Sequence, residues 1–288
     1  MRLLLTGAGG QLGSEIARLV AGLNEKRARA RVALLALDHS SLDVSSRDQV
    51  LSAVLSFEPD VVIHAAALTA VDSCELEPER AYSVNALGTR NVAEAARLNG
   101  SHLVYLSTDY VFDGRASRPY LEWDEPAPIS VYGRSKLGGE RELDGSHTVI
   151  RTAWVMGRTG SNMARTVLRL GRQTRGELRF VDDQRGSPTV ASDLAAKVLE
   201  LATARRPGLF HVTNQGEATW FEVARQIMAA AGLDKGRVVP ISTGELDPPR
   251  PAARPANSVL ENAALRLSGD ELLPDWRESL DRLVAEIA

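Results

Sequence analysis

Tyr132 and Lys136 lie four positions apart, and this is the residue pair in the chain whose types and spacing most clearly suggest chemistry. Side chains at this spacing share one face of a helix. A free phenol has a pKa of about 10 and exchanges protons poorly at neutral pH, and a nearby ammonium group lowers that value by stabilising the phenolate. The pair therefore predicts an acid built from a tyrosine, although the same spacing also arises by chance on solvated helices.

The elements that would position this pair begin at the amino terminus. Residues 2–6 read as a short buried strand, residues 7–13 as a glycine-rich turn, and apolar residues then recur at helical spacing from Ile16 to Leu23. A strand, a glycine turn and a helix in this order bring backbone N–H groups and the positive helix end against a pyrophosphate. The alternative is a plain tight turn.

A second apolar strand, residues 32–37, ends at Asp38, roughly where a dinucleotide fold places the acid that contacts a ribose. Asp38 would favour a free ribose hydroxyl, whereas residues 39–41 offer groups that could accept a 2′-phosphate with the help of an arginine. Asp43 is predicted either to cap the next helix or to approach the adenine.

Two further strands are predicted to end at the same edge of a parallel sheet. Residues 60–64 run into the small residues 65–67, which leave room for a flat cofactor, and residues 102–107 lead to Thr108 and Asp109. Ligands bind at this edge in open α/β folds. Between these strands, residues 78–98 have a continuous helical pattern that contains Asn85, for which a site role and a solvated position both remain open.

These residues together resemble the extended short-chain dehydrogenase/reductases, through Thr6-Gly-x-x-Gly-x-x-Gly13, Asn85, Ser107-Thr108 and Tyr132-x-x-x-Lys136. More narrowly, the chain resembles the dTDP-4-dehydrorhamnose reductase family over nearly its whole length. The segments that carry the narrower resemblance are Gly10-Gln-Leu-Gly13, Ala65-Ala-Ala-Leu-Thr-Ala-Val-Asp72, Ser107-Thr-Asp-Tyr-Val-Phe-Asp-Gly114, Val131-Tyr-Gly-Arg-Ser-Lys136, Arg151-Thr-Ala-Trp-Val155 and Asp183-Gln-Arg-Gly-Ser-Pro-Thr189.

The resemblance implies an α/β fold with a Rossmann-like doubly wound parallel sheet in residues 1–150. Residues 151–288 would form a smaller α/β part that is mainly substrate-binding, with some segments returning to the main sheet. The implied activity is the reduction by NAD(P)H of the 4-keto group of a nucleotide-linked 6-deoxyhexose. The simplest case is dTDP-4-dehydro-L-rhamnose going to dTDP-L-rhamnose, with NADPH preferred and NADH possible.

The resemblance also implies roles for individual residues. Tyr132 would donate the proton, Lys136 would lower the pKa of the phenol and bind the nicotinamide ribose, and Thr108 would donate to the substrate carbonyl oxygen. The implied cofactor site comprises Gly7, Gly10, Gln11, Leu12, Gly13, Asp38, Asp43, Val44, Ala65, Ala66, Ala67, Thr69, Leu106, Tyr132 and Lys136. The implied substrate site comprises Thr108, Asp109, Trp154, Asn162, Arg185 and Arg254.

The proposed substrate residues have different chemical grounds. Asp109 can bind a sugar hydroxyl or cap a helix, and the ring of Trp154 can stack on the deoxysugar or nucleoside, as well as pack in a core. Arg185 and Arg254 suit a pyrophosphate because a guanidinium binds phosphate bidentately. Members of the family often have an aromatic residue where Arg185 stands. For Asn162, the family resemblance is the ground for placing it in the substrate site.

Three alternative functions belong to related proteins. A sugar-nucleotide dehydratase would carry Thr-Asp-Glu, and the aromatic Tyr110 at the glutamate position disfavours dehydration. A ketoreductase for another dTDP-4-keto sugar in natural-product glycosylation remains open. A non-catalytic, dinucleotide-binding regulatory subunit belongs to another class, and the presence of Tyr132, Lys136 and Thr108 argues against it.

Composition agrees with a soluble enzyme. The 288 residues are 44% hydrophobic and carry a net charge of −3, with arginines interspersed among acids, so no nucleic-acid footprint is predicted. No signal peptide or membrane span is predicted, which favours the cytoplasm. The single cysteine, Cys74, cannot form an internal disulfide, and the histidines lack metal-ligand spacing, so no catalytic metal is expected. Either a monomer or a homodimer is compatible.

Overall fold

The computed structural model describes residues 1–26 and 32–288. In chain order, the strands are β1 (Arg2–Thr6), β2 (Ala33–Leu37), β3 (Val61–His64), β4 (His102–Thr108), β5 (Thr148–Thr152), β6 (Val155–Met156), β7 (Leu178–Val181), β8 (Arg185–Gly186), β9 (Thr189–Val190), β10 (Gly208–His211), β11 (Ala218–Thr219) and β12 (Val238–Ile241). The α-helices are α1 (Gln11–Lys26), α2 (Arg47–Phe57), α3 (Val71–Leu76), α4 (Pro78–Tyr82), α5 (Gly88–Asn99), α6 (Val131–Glu140), α7 (Met163–Gln173), α8 (Ala191–Thr203), α9 (Trp220–Ala230), α10 (Ala263–Leu267) and α11 (Trp276–Ile287).

The main sheet has six strands in the order β10-β5-β4-β3-β1-β2, and all neighbouring strands are parallel. The order reverses at β1, which has β2 on one side and β3 on the other. Such a reversal opens a crevice at the carboxyl ends of the two strands, where ligands bind in doubly wound sheets. The predicted Rossmann-like α/β fold is confirmed.

Helices cover both faces of this sheet. On one face, α1 and α8 pack against the inward side chains of the strands, and Leu3, Leu5, Ile63 and Leu194 are fully buried there. On the other face, α2 and α5 bury Leu4 and their own apolar residues. The near-continuous apolar strands that the sequence shows are therefore explained by burial on both faces.

The predicted continuous helix over residues 78–98 is interrupted. Between α4 and α5, residues Ser83–Leu87 form a π-helical turn. Asn85 lies in this turn with its side chain fully buried, and π-turns of this kind often occur at functional sites. The sequence pattern missed the interruption because a π-turn keeps the apolar spacing nearly helical.

The part of the chain after β5 both returns to the main sheet and forms a second core. It supplies β10 at the sheet edge and α8 on one face. Helices α7, α9 and α11 bury a separate cluster around Trp276, together with the parallel pair β7 and β12. Thr219 and Glu222 form a capping box at the start of α9. No helix in residues 1–26 or 32–288 is long and apolar enough to cross a membrane.

Candidate functional site

The glycine turn lies at the reversal point of the sheet. Gly7 has a φ of +73°, and a methyl group there would come within 2.6 Å of the Ala66 backbone nitrogen after β3. A methyl group at Gly13 would overlap the Gly7 carbonyl oxygen. Both glycines are therefore required by close backbone approach. The same geometry leaves the amino end of α1 facing the crevice between β1 and β3.

The first residues of α1 also connect the two parts of the chain. The Gln11 side chain accepts a hydrogen bond from the Gly157 amide at 2.8 Å, and the Ser14 and Thr159 hydroxyls are 2.9 Å apart. Leu12 packs against the core of the main sheet. The helix end that would face a pyrophosphate is thus held by the segment between β6 and α7.

Asp38 is exposed at the end of β2, and its Oδ1 accepts hydrogen bonds from the backbone and hydroxyl groups of Ser40 and Ser41. The hydroxyls lower the pKa of this carboxyl. Asp43 makes a similar turn, in which its Oδ1 accepts hydrogen bonds from the Ser45 amide at 3.0 Å and from the Ser45 hydroxyl at 2.7 Å. Asp43 therefore caps a turn before α2, and Ser46 occupies the N-cap position of that helix.

The other predicted cofactor residues lie along the crevice. Ala65 and Leu106 pack on the core face that α1 covers, whereas Ala66 packs on the opposite face. The remaining predicted positions in this region are the partly buried Ala67, the exposed Thr69 and the buried Val44, whose side chain faces Gly88.

Asn85 links this loop to the helix that carries the tyrosine. Its amide accepts from the Leu68 amide at 2.8 Å and donates to the Leu68 carbonyl at 3.1 Å and to the Ser135 hydroxyl at 2.9 Å. Ser135 in turn donates to the Tyr132 carbonyl at 2.8 Å. Asn85 is therefore buried and not solvated, and its side chain connects the loop after β3 to α6.

Tyr132 and Thr108 meet where α6 begins against the end of β4. Ser130 caps the helix through the Gly133 amide at 3.2 Å, and a methyl group at Gly133 would overlap the Tyr110 carbonyl oxygen. This close approach places Tyr132 near enough to Thr108 for the Thr108 hydroxyl to act on the pKa of the phenol. Both side chains are almost completely buried.

Burial raises the pKa of Tyr132, and the Thr108 hydroxyl only partly offsets that effect. The net shift is therefore upward, opposite to the one that the spacing of Tyr132 and Lys136 predicts. The physical reason is the removal of the phenol from water, together with the position of Lys136, whose Nζ lies over the Tyr105 ring at 4.1 Å from its centroid. The result is a phenol that keeps its proton at neutral pH.

Lys136 is buried, and desolvation lowers its pKa to about 7, while Glu140 acts in the opposite direction. Glu140 is held by two hydrogen bonds from Arg151, at 2.9 and 2.7 Å. The Tyr105 hydroxyl donates to the Lys136 carbonyl at 3.1 Å. Tyr105, Glu140 and Arg151 were not identified from the sequence as part of the site. The repeat of polar residues at one-turn spacing, Tyr132, Lys136 and Glu140, is the signal that would have indicated Glu140.

Trp154 has its indole enclosed on both faces. One face stacks on Trp220, with ring centroids 3.6 Å apart and an angle of 5° between planes. A methyl group at Gly186 would overlap Cε2 of Trp154 and lie 2.6 Å from two of its bonded neighbours, Cζ2 and Nε1, which puts Gly186 over a ring face. The 3.6 Å spacing has no room for Gly186 between the indoles, so it covers the opposite face. Neither face is open for the predicted stacking on a sugar or base.

The two predicted pyrophosphate arginines have carboxylate partners. Arg254 binds Asp72 bidentately, at 2.9 and 2.7 Å, and its side chain is only 10% exposed. Arg185 pairs with Glu217 on the surface. Asn162 caps α7 by accepting from the Arg165 amide at 3.1 Å and donates to the Gly157 carbonyl at 2.8 Å, so its amide has a structural role.

Among the residues that the structure describes, no three His, Cys, Asp or Glu side chains gather into a metal site. Cys74 is buried, and desolvation raises the pKa of its thiol to about 11.

Comparison with known proteins agrees with this geometry. A family model described as the RmlD substrate binding domain matches residues 1–288. A dTDP-4-dehydrorhamnose reductase of Sinorhizobium fredii is 39% identical over 99% of this chain and 97% of its own. A protein of Streptomyces antibioticus, described as a probable dTDP-4,6-dihydroxy-2-methyloxan-3-one 4-ketoreductase, is 41% identical over 100% of this chain and 96% of its own.

Among solved structures, a dTDP-4-dehydrorhamnose reductase from Bacillus anthracis in complex with NADP is 40% identical, covers 99% of both chains and has a TM-score of 0.91. With the family model spanning every residue and these relatives similar over nearly their full length, the chain belongs to the dTDP-4-dehydrorhamnose reductase family.

Proposed function

We propose that this protein is an NAD(P)H-dependent reductase of the 4-keto group of a nucleotide-linked 6-deoxyhexose. The specific reaction is dTDP-4-dehydro-L-rhamnose to dTDP-L-rhamnose, with NADPH as the preferred cofactor and NADH as a second possibility, in the cytoplasm. The observation that carries the proposal is the burial of Tyr132, Thr108 and Lys136 at the ligand edge of a dinucleotide fold, where the Thr108 hydroxyl acts on the pKa of the Tyr132 phenol.

The chain's own residues supply the proton chemistry. Tyr132 holds its proton because burial raises its pKa, and it releases that proton to the sugar oxygen as negative charge develops there. Thr108 donates a second hydrogen bond to the same oxygen, and the Lys136 ammonium stabilises the phenolate that forms. General acid catalysis of this kind contributes about 10²–10⁴-fold in rate.

The crevice between β1 and β3 fits a dinucleotide. Gly7 and Gly13 lie where a Cβ would block the backbone approach, and the amino end of α1 offers N–H groups to a pyrophosphate. Asp38 is exposed at the position for a ribose. When bound, the reduced nicotinamide would supply the hydride to the carbonyl carbon.

The substrate would lie beyond the ends of β4 and β5. Arg254 would bind the substrate pyrophosphate by exchanging its Asp72 contact, and Arg185 by exchanging Glu217. A sugar or base that stacks on an indole would use the outer face of Trp220 or displace it from Trp154. Asn162 would act indirectly, by fixing the start of α7.

A ketoreductase for another dTDP-4-keto sugar is the second candidate, favoured by the 41% identity to the Streptomyces antibioticus protein. Measuring NADPH oxidation with several dTDP-4-keto sugars, followed by product stereochemistry, separates the two. Turnover of another sugar without turnover of the rhamnose precursor would reject the rhamnose assignment alone.

Replacing Tyr132 with Phe tests catalysis against a purely regulatory role. Tyr132→Phe should lower kcat by about 10²–10⁴-fold because the proton donor is lost. Tyr82→Phe, at a tyrosine that is 41% exposed, is the matched control and should change kcat little. Equal activity of the Tyr132 variant and the wild type would contradict the proposed mechanism.

A further inference from the structure

Asp109 is a buried carboxyl directly next to the proposed acid machinery. It is 2% exposed, and its Oδ1 lies 2.9 Å from the Thr108 hydroxyl oxygen. Its Oδ2 is buried without a hydrogen-bond partner within residues 1–26 and 32–288. A buried carboxylate normally has its oxygens fully hydrogen-bonded, so this half-satisfied group calls for a functional explanation.

The hydrogen count at Thr108 links this carboxyl to catalysis. A threonine hydroxyl has one hydrogen to donate and two lone pairs. One lone pair accepts from the Tyr110 amide at 3.2 Å. If Asp109 is ionised, it takes the only Thr108 hydrogen, and the Thr108 oxygen becomes an acceptor toward the Tyr132 phenol. Neither hydroxyl hydrogen then points toward a substrate carbonyl.

Protonation of Asp109 reverses this arrangement. A protonated carboxyl donates its hydrogen to the second lone pair of Thr108. The Thr108 hydrogen must then turn away from Asp109, and the oxygen has no lone pair left to hold the Tyr132 hydrogen. Both hydroxyls become donors toward the region in front of them.

The surroundings of Asp109 stabilise its neutral form relative to a carboxyl in water. The groups that face it are the phenols of Tyr110 and Tyr132 and the hydroxyls of Thr108 and Ser258, which are uncharged at neutral pH. Arg254 and Arg250, the cations that act on neighbouring Tyr110, are both paired with Asp72. Cys74, which acts on Tyr132, is a thiol with a raised pKa. Desolvation raises the pKa of Asp109 to about 6, with the hydroxyl contacts partly opposing it.

We propose that Asp109 is a positioning residue which, in its protonated form, turns the Thr108 hydroxyl toward the sugar carbonyl oxygen. The inference rests on the proposed function. Asp109 keeps its own proton throughout, so the proton delivered to the sugar oxygen still comes from Tyr132. Ionisation of Asp109 withdraws two donors from the carbonyl at once.

The test compares the pH dependence of turnover in the wild type and in Asp109→Asn, at saturating NADPH. The Asn amide is a permanent donor to Thr108. Wild-type turnover should fall about tenfold per pH unit above a midpoint near the carboxyl pKa of about 6. In the variant this decline should be lost, which leaves the decline from Lys136, whose pKa is about 7. The midpoint should thus move up by about one unit.

Two controls make the result specific. Asp113→Asn changes a nearby carboxyl that binds Tyr120 and the Arg115 amide, away from Thr108, and its midpoint should match the wild type. In a Thr108→Ala background, Asp109→Asn should no longer move the midpoint, because the hydroxyl that Asp109 orients is absent.

A second readout does not depend on turnover. Infrared difference spectra between the wild type and Asp109→Asn, recorded from pH 5 to 8, should show a protonated carboxyl band that disappears near pH 6. An Asn variant with the wild-type midpoint, or no such band at pH 5, would overturn this inference alone. Absence of turnover by the wild type with every dTDP-4-keto sugar would overturn the proposed function, and this inference with it.

Discussion

Glu140→Gln should strongly destabilise the protein, because it removes the charge partner of a buried arginine. Arg151 and Glu140 are 4% and 9% exposed and are joined by hydrogen bonds of 2.9 and 2.7 Å. Arg151 Nη1 is already buried without a partner among the described residues. Removing one member of a buried pair leaves an uncompensated charge, which costs about 3–5 kcal/mol.

A second bidentate pair, two residues further along, provides the matched control. Glu142 binds Arg90 at 3.0 and 2.9 Å, but these side chains are 25% and 61% exposed. Exposed pairs contribute only about 0–1 kcal/mol, because water and side-chain entropy offset the attraction. Glu142→Gln therefore makes the same chemical change in nearly the same hydrogen-bond geometry, with burial as the main difference.

Thermal unfolding of the two variants and the wild type measures the difference. At about 2–4 °C per kcal/mol for a chain somewhat smaller than this one, Glu140→Gln should lower the Tm by roughly 6–20 °C, and Glu142→Gln by less than about 4 °C. Similar shifts for both variants would refute the argument that burial decides the contribution of an ion pair at this site.

Two further predictions follow from the same structure. Gly186→Ala should destabilise the protein by about 1–3 kcal/mol, because the methyl group overlaps the Trp154 ring. Gly22→Ala is the control and should not destabilise it, because no described atom lies within 4 Å of the new methyl group. Equal Tm values for both variants would contradict this prediction. Lys136→Met should raise the free energy of unfolding by a few kcal/mol below pH 7, because the pKa of Lys136 falls from 10.5 to about 7 on folding. Between these two pH values the unfolded chain binds more protons than the folded protein, so the stability of the wild type rises with pH. Denaturation measured from pH 6 to 10 should therefore show the stability gain of Lys136→Met shrinking. A gain that stays constant over this range would be inconsistent with the burial of Lys136.

Much of the first half of the chain follows from short-range patterns. Residues 2–23 combine an apolar strand, glycines and a helical repeat, each with its own local signature, so β1 was predicted with the observed bounds; α1 was also predicted, but it begins at Gln11, inside the predicted turn. The same holds for β3 and β4, whose predicted ends lie within one residue of the observed ones. The pair Tyr132 and Lys136 was found because its spacing lies within one helical turn.

The electrostatic state of the site could not be predicted in this way. The sequence suggested that Lys136 lowers the pKa of Tyr132, because spacing alone places an ammonium near a phenol. The structure has the phenol buried and Lys136 against Tyr105, a residue of β4, so burial dominates the pKa. Desolvation depends on every element that covers a side chain, and residue spacing does not contain that information.

The amino-acid sequence by itself indicated the fold class, since the strands, the glycine turn and the helices each have a local signature, and it predicted the tyrosine, lysine and threonine as catalytic residues. Only the tertiary structure decided which groups face them. Arg254 meets Asp72 across 182 positions, Arg151 meets Glu140 from the next strand, and Trp220 at the start of α9 covers Trp154 between β5 and β6. These contacts depend on how distant elements pack, because the free energy of burying a charge or a ring is set by all the neighbours that exclude water from it.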